Sequence, residues 1–304
     1  MSEVKNYQTV VEIANRHLGK VGGEGYKDTY DPSLLVPIPR KLNREAYGIQ
    51  EDNLPFKGYD VWNAYEVSAI TEKGLPVSGM LKITCAADTE YHVESKSIKL
   101  YLNSFNMTPI GKNTKECIDI IEARVSRDLT ELLGDRCSAR MFLSDLGPTY
   151  SFRGYAKLGA ICDLDEIEFK SYKSDANQLE VDSSITETEE IMWQSDLLRS
   201  NCRVTNQPDW GDVFIRMKGK KIPTPESLAK YIVSHRQVSH FHEEICEMIY
   251  THLSEAFQPE ELMVACLYTR RGGIDINPIR ASWAGLIPSF FYDSRLRLEK
   301  TLRQ

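Results

Sequence analysis

Apolar residues recur at strand-like positions over residues 59–71, carried by Val61, Ala64, Tyr65, Val67 and Ile70, and over 75–87, carried by Val77, Met80, Leu81, Ile83 and Cys85. The short polar turn Glu72-Lys73-Gly74 between them predicts a hairpin. The spacing then changes to that of a helix. Ile98, Tyr101, Leu102 and Phe105 fall on one face, with Glu94 at that helix's start. A second helix over about 112–133 carries Ile118, Ile121, Val125, Leu129, Leu132 and Leu133 and stops at Gly134, and a strand is predicted from about 137 to 144.

The order recurs further on. Ile191 to Leu198 and Val213 to Met217 read as strands, and a helix opens at Pro225 behind a Thr224 cap. A longer helix, about 239–257, places Phe241, Ile245, Ile249, Leu253 and Phe257 on one face, and Leu262 to Tyr268 is a strand. Between the halves, Asp163 to Glu190 is dominated by Asp, Glu, Ser, Lys and Asn and reads as a connector. At the front, residues 1–18 are predicted helical and end in the Gly-rich run 19–25, while Tyr30 to Arg40 carries prolines that favour an irregular, extended arm packed on something.

Composition narrows the class. With 304 residues, 41% hydrophobic and 27% charged, the chain is globular, one large domain or two ordinary ones. It has no run of about 18 apolar residues and a polar, amphipathic N-terminus, so a soluble cytoplasmic protein without a membrane partner is expected. A net charge of -7 disfavours a broad nucleic-acid surface. Seven cysteines without a CxxC pair make reduced thiols the expected state.

Candidate chemistry sits in four places. In Ser200-Asn201-Cys202 through Pro208-Asp209-Trp210-Gly211, a thiol precedes a carboxylate by seven residues, in a segment whose Asn, Gln, Pro and Gly predict a rigid loop anchored by Trp210. A structural cysteine and a turn-capping aspartate fit the same residues. His240-Phe241-His242-Glu243-Glu244-Ile245-Cys246 puts titratable groups in a helix's first turn, or offers His242 and Cys246 to a metal, although neither HExxH nor CxxC accompanies them. Arg270-Arg271-Gly272-Gly273 follows a strand and suits either a phosphate or a plain hairpin turn. Glu94 could accept the paired N–H groups of a guanine-like edge, or simply favour the helix start. Neither GxxxxGK[ST] nor GxGxxG is present.

Together, Glu94-Ser95-Lys96-Ser97-Ile98-Lys99-Leu100-Tyr101-Leu102-Asn103-Ser104-Phe105-Asn106, the Cys202 to Gly211 segment, His242-Glu243 and Arg270 through Pro278 resemble the NADPH-dependent 7-cyano-7-deazaguanine reductases, the nitrile reductases of queuosine biosynthesis, in their tandem two-domain form. Tyr30 to Arg40 and Trp62-Asn63-Ala64-Tyr65-Glu66 resemble the same family. The resemblance implies an α+β fold of two tandem tunnelling-fold (T-fold) domains, each an antiparallel four-stranded sheet with two helices on one face. The expected division is 1–165, an acidic connector 166–190, and 191–304, in a homodimer. It further implies Cys202 as nucleophile, Asp209 as proton carrier and His242 as an assistant in proton transfer. Val93, Glu94, Ser95, His242 and Glu243 would bind the base, and Ser95, Lys96, Arg271 and Gly272 would bind NADPH, two per turnover, with no metal. The product would feed a tRNA modification, with no direct nucleic-acid contact. Two other classes use the same residues: a cysteine amidohydrolase built on Cys202, His242 and Asp209, and a purine- or pterin-binding module without catalysis.

Overall fold

The structure is a computed structural model that describes residues 27–144, 147–203 and 205–304. The helix predicted over 1–18 and the Gly-rich run after it lie outside the described residues. Strands β1 (Pro37–Pro39), β2 (Lys57–Ile70), β3 (Pro76–Ala86), β4 (Tyr91–Val93) and β5 (Cys137–Phe142) come from the first half, with helices α1 (Ser95–Asn103) and α2 (Thr114–Leu133) between β4 and β5. Two short strands, β6 (Thr149–Tyr150) and β7 (Ala156–Lys157), follow. The second half supplies β8 (Glu189–Ser195), β9 (Arg199–Cys202), β10 (Pro208–Gly219), α3 (Pro225–Ser234), β11 (Ser239–His240), α4 (His242–Phe257), β12 (Glu261–Tyr268), β13 (Ile274–Ala281) and β14 (Arg297–Leu298).

The sheets of the two halves are joined edge to edge. A ten-stranded sheet runs β11-β9-β10-β12-β13-β2-β3-β5, with β8 and β7 added beside β10. The seam is the antiparallel pair β13–β2, from Ile274 opposite Ala64 to Ala281 opposite Lys57. Among the described residues the first half gives β2, β3 and β5 to the central path rather than four strands. Joining leaves neither β2 nor β13 with an unpaired edge, which removes two rows of exposed backbone donors and acceptors.

Side chains alternate across this sheet. One face carries two apolar clusters: Leu81, Ile83, Tyr101, Phe105, Ile121, Val125 and Leu129 under α1 and α2, and Ile215, Val264, Leu228, Ile232, Ile249 and Leu253 under α3 and α4. The other face carries Val61, Phe214, Met263 and Ile279, covered by Phe152, Phe291 and Leu298. The local stop and start signals operate as their chemistry requires. Gly134 ends α2 with φ 77°, and Thr224 caps α3 by accepting from Ser227 N.

Three expectations change. The proline arm is not wholly irregular, because Pro37–Pro39 pairs antiparallel with β4, an edge arrangement that tolerates missing N–H groups. The acidic connector is packed: its turns are capped by Asp163 and Asp175, and Ile167, Phe169, Leu179 and Ile185 lie against the second-half core. Finally, Cys85 and Cys137, opposite each other on β3 and β5, are joined as a disulfide, so not every thiol is reduced. Nothing in the spacing of two cysteines 52 positions apart signals that pairing.

At the seam, charge is buried. Arg280 of β13 lies 2.9 Å from Asp60 and 2.8 Å from Glu247, Arg40 lies 2.6 Å from Asp60, and Arg44 lies 2.8 Å from Glu247 and 3.0 Å from Glu51. These pairs tie the proline arm, both halves of the sheet and α4 together directly behind the site.

Candidate active site

Four segments meet at one cavity of about 350 Å³. The first is the junction of β4 and α1. Val93 ends the strand, and Glu94 caps the helix, its carboxylate accepting from Lys96 N at 3.0 Å and Ser97 N at 2.7 Å. The helix-start reading of Glu94 is therefore realised, and the residue also lines the cavity with Val93, Ser95 and Lys96.

The second is the β9–β10 hairpin, where the loop expectation fails. Cys202 is the last residue of β9 and Asp209 the second of β10, with the turn between them closed by Asn206 N donating to Cys202 O and Cys202 N donating to Gln207 O, both at 2.8 Å. Asp209 stands opposite Ser200, and Cys202 is two residues beyond Ser200, so the period-two pleat puts thiol and carboxylate on one face. Strand pairing thus holds both more firmly than a loop would. Pro208, which lacks a ladder donor, is tolerated as the first strand residue. Trp210 is half-buried among the guanidiniums of Arg199, Arg236 and Arg303, 5.2 to 5.8 Å from its ring centroids.

The third is the start of α4. His242 stacks on Tyr268 with ring centroids 3.8 Å apart and its Nε2 3.4 Å from Asp209 Oδ2. Glu243 is buried, and burial followed by the charge of Asp60 pushes its pKa up to about 8. Cys246 turns away into the core, 3.5 Å from Val264 O, and does not share a ligand with His242. Among the described residues no group of three or more His, Cys, Asp or Glu side chains could hold a metal ion.

The fourth is the β12–β13 turn. Arg271 Nε lies 2.9 Å from Asp209 Oδ1, giving the carboxylate a guanidinium on one side and an imidazole on the other. Gly272 has φ 57°, and a Cβ there would come within 2.7 Å of Lys99 Nζ, so the bare backbone lets a lysine and the turn approach each other.

Every predicted site residue, namely Val93, Glu94, Ser95, Lys96, Cys202, Asp209, His242, Glu243, Arg271 and Gly272, lines this cavity. Sequence reasoning gave no site role to His92, Lys99 or His240, which also line the cavity. His240 pairs in register with Cys202 and has Nδ1 2.7 Å from Glu244 Oε1. Its proximity arises from a parallel pairing between distant strands and leaves no local pattern. It also missed the Arg271–Asp209 pair, since the resemblance assigned that arginine to a phosphate. No helix of the described residues is long and apolar enough to cross a membrane.

Comparison with known proteins bears on the same segments. Residues 26–141 match the family described as nitrile reductase, 7-cyano-7-deazaguanine-reductase N-term, and residues 208–284 match that described as QueF-like protein. A protein of Colwellia psychrerythraea named NADPH-dependent 7-cyano-7-deazaguanine reductase is 39% identical over 280 residues, 91% of this chain and 95% of that one. A solved chain, the archaeosine synthase QueF-Like in the apo form, aligns at 15% identity over 32% of this chain and 96% of its own, with a TM-score of 0.29. With both halves matched and the identity spread along nearly the whole length, the chain belongs to the 7-cyano-7-deazaguanine reductase family.

Proposed function

We propose that the chain reduces the nitrile of 7-cyano-7-deazaguanine to the aminomethyl group through a covalent thioimide, consuming two NADPH per turnover. The observation that carries this reading is that Glu94 of the first half and Cys202 and Asp209 of the second line one cavity. A nitrile carbon accepts hydride poorly until a thiolate has added to it. Cys202, partly exposed at the end of β9, is the nucleophile, and its proton passes to Asp209 as the C–S bond forms. Asp209 then returns that proton to the nitrile nitrogen. His242, 3.4 Å from Asp209, assists the transfer, and Arg271 fixes the carboxylate's orientation. Once the first hydride and a proton have added, the thiol leaves with a proton from the nitrogen, and the imine that remains takes up the second hydride and a proton to give the amine.

Glu94 and Glu243, with Val93, Ser95 and His242 around them, take the edge and faces of the base. A pocket for a phosphorylated dinucleotide needs cations at its mouth, and Lys96, Lys99 and Arg271 meet there beside the bare backbone of Gly272. Ser95, Lys96, Arg271 and Gly272 would hold NADPH, which when bound supplies hydride. In the same reading the halves are tandem T-fold domains, 1–165 and 191–304 about the 166–190 connector. The protein would be a cytoplasmic homodimer that touches no nucleic acid itself, its product serving queuosine synthesis in tRNA.

Intact-protein mass spectrometry tests the covalent step. The unaltered protein should gain the mass of one nitrile base and lose it on adding NADPH, with two equivalents oxidised per amine formed. Cys202→Ala should gain no mass. An adduct of undiminished yield in that variant removes Cys202 from the chemistry, and ammonia release without NADPH oxidation would instead favour a hydrolase.

A further inference from the structure

In the cavity wall, two polar side chains face each other with atoms left over. Glu243 Oε1 makes no hydrogen bond, and neither ring nitrogen of His92 makes one. Both side chains are more than nine-tenths buried, and His92 Nδ1 stands 3.9 Å from Glu243 Oε1. A neutral imidazole always carries one N–H, so at least one buried donor has no acceptor. An unsatisfied buried polar group calls for an explanation, and a role at the adjoining site is one.

The surrounding charges bear on the ionisation of this pair. Arg40 and Arg44 from the segment before β2, and Arg280 from β13, pair with Asp60 of β2, Glu247 of α4 and Glu51. Three guanidiniums meet three carboxylates, so the network is neutral before Glu243 is counted. An ionised Glu243, one turn before Glu247 on α4, would be a fourth carboxylate beside Asp60 without a cation of its own. Burial, then Arg40, pushes the His92 pKa down to about 3, so this ring supplies no charge either. Both shifts favour the neutral forms, a carboxylic acid facing a neutral imidazole.

We propose that His92 is a positioning residue for Glu243: when a base with adjacent ring N–H and exocyclic amine groups enters, Glu243 ionises and the His92 Nδ1–H closes on Oε1, fixing the carboxylate's plane against that edge. The proton from Glu243 leaves to solvent, and the base gains none. The carboxylate then has donors from the ligand and from His92, where the empty pocket offers it neither. This inference rests on the base-binding reading above. Its ring also meets Phe241 edge-on at 4.9 Å, which holds the imidazole in place while the carboxylate moves.

Calorimetry in the Cys202→Ala background, where 7-cyano-7-deazaguanine binds without bonding, tests it. The parent should release close to one proton per base bound at pH 7, read from the dependence of binding enthalpy on buffer ionisation enthalpy. His92→Phe keeps an aromatic ring against Phe241 and should weaken binding about tenfold, or about 1.4 kcal/mol. His92→Asn returns an N–H near the Nδ1 position and should restore binding to within about threefold, or about 0.7 kcal/mol. With Cys202 intact, His92→Phe should raise KM for the base and leave kcat within about twofold, a split expected when ground-state and transition-state binding fall together. His92→Leu takes the place of the phenylalanine variant if that one does not fold. Equal binding by the folded apolar variant and the parent, or no recovery with asparagine, overturns the role of His92 alone. A parent that binds no base at all overturns the functional reading and this inference with it.

Discussion

Replacing Arg280 by methionine takes away the cation shared by two buried carboxylates at the seam of the sheet. The guanidinium is wholly buried, 2.9 Å from Asp60 Oδ1 and 2.8 Å from Glu247 Oε1, and it also donates to Tyr59 O at 3.1 Å. Afterwards Asp60 keeps only Arg40 at 2.6 Å and Glu247 keeps only Arg44 at 2.8 Å. Removing one partner from a buried pair costs about 3–5 kcal/mol, and methionine's flexible chain recovers part of the packing. We expect a loss of about 3 kcal/mol, a large part of a total stability of about 5–15 kcal/mol. The pH dependence has a definite sign. Burial raises the pKa of Asp60, but Arg280 and Arg40 outweigh it and hold the group down to about 2; burial likewise raises Glu247, and Arg280 and Arg44 outweigh it and lower that group. Each carboxylate therefore contributes stability that is present above its unfolded pKa, about 4, and that is lost as pH falls through its folded pKa. With half the attraction gone, both folded pKa values rise, so the deficit of the variant should be largest at pH 7 and, because the parent's contribution is lost only below about 4, smaller at pH 3. Urea unfolding followed by circular dichroism at the two pH values measures this, with Arg280→Lys intermediate because it keeps charge but not the two-pronged donor. A deficit below about 1 kcal/mol, the worth of an exposed pair, or one equal at both pH values, refutes the reasoning.

Glu243 carries the opposite sign. Its folded pKa of about 8 exceeds its unfolded value, so the ligand-free protein loses stability as pH rises from the unfolded pKa to about 8. Glu243→Gln should raise Tm more at pH 8.5 than at pH 5, and an equal shift at both would show that the carboxyl ionises freely in the folded chain. At Glu94, alanine should cost about 1 kcal/mol through the lost cap, while glutamine should spare stability and still raise KM for the base. An unchanged KM in the glutamine variant would leave Glu94 as a cap alone. Lys82 Nζ donates to Phe290 O, Asp293 O and Leu296 O at 2.8 to 3.0 Å, and burial pulls its pKa down to about 7. Lys82→Met should orphan those carbonyls and speed hydrogen exchange across 290–298; unchanged exchange there would mean the aromatic contacts alone hold the segment.

What could be read in the chain was whatever local chemistry decides. The hairpin of β2 and β3, the αL stop at Gly134, the Thr224 cap and the acid at the head of α1 each follow from a few neighbouring residues. The site was legible as residue types for the same reason, because a thiol, a carboxylate and two glycines beside arginines keep their chemistry wherever they are placed. Their partners were not legible. Asp209 meets Arg271 and His242 only because β10 pairs with β12 and α4 packs beneath them, and β13 finds β2 more than 200 positions away. The Cys202 segment shows local propensity overruled: Asn, Gln, Pro and Gly argue for a loop, yet Pro208 to Trp210 pairs with β9, the β12 ladder begins at Gly211, and Gly211 fits where a Cβ would sit 3.2 Å from the Tyr268 ring.

The pleat also limits what alternation can reveal. Leu81 and Ile83 point into the helix-covered core, so Lys82 between them reads as a solvent-facing residue, and it does point to the opposite face. That face is not solvent, because the segment 284–298 returns across it and brings three backbone carbonyls onto the ammonium. Arg280 poses the converse case. It shares the parity of Ile274 and Ile276, which belong to the helix-covered core, and a charge at such a position requires buried counter-charges somewhere. An arginine in phase with the core residues of a strand is therefore a local sign of a non-local network, and here that network stands directly behind the pocket in which Glu243 waits for a donor.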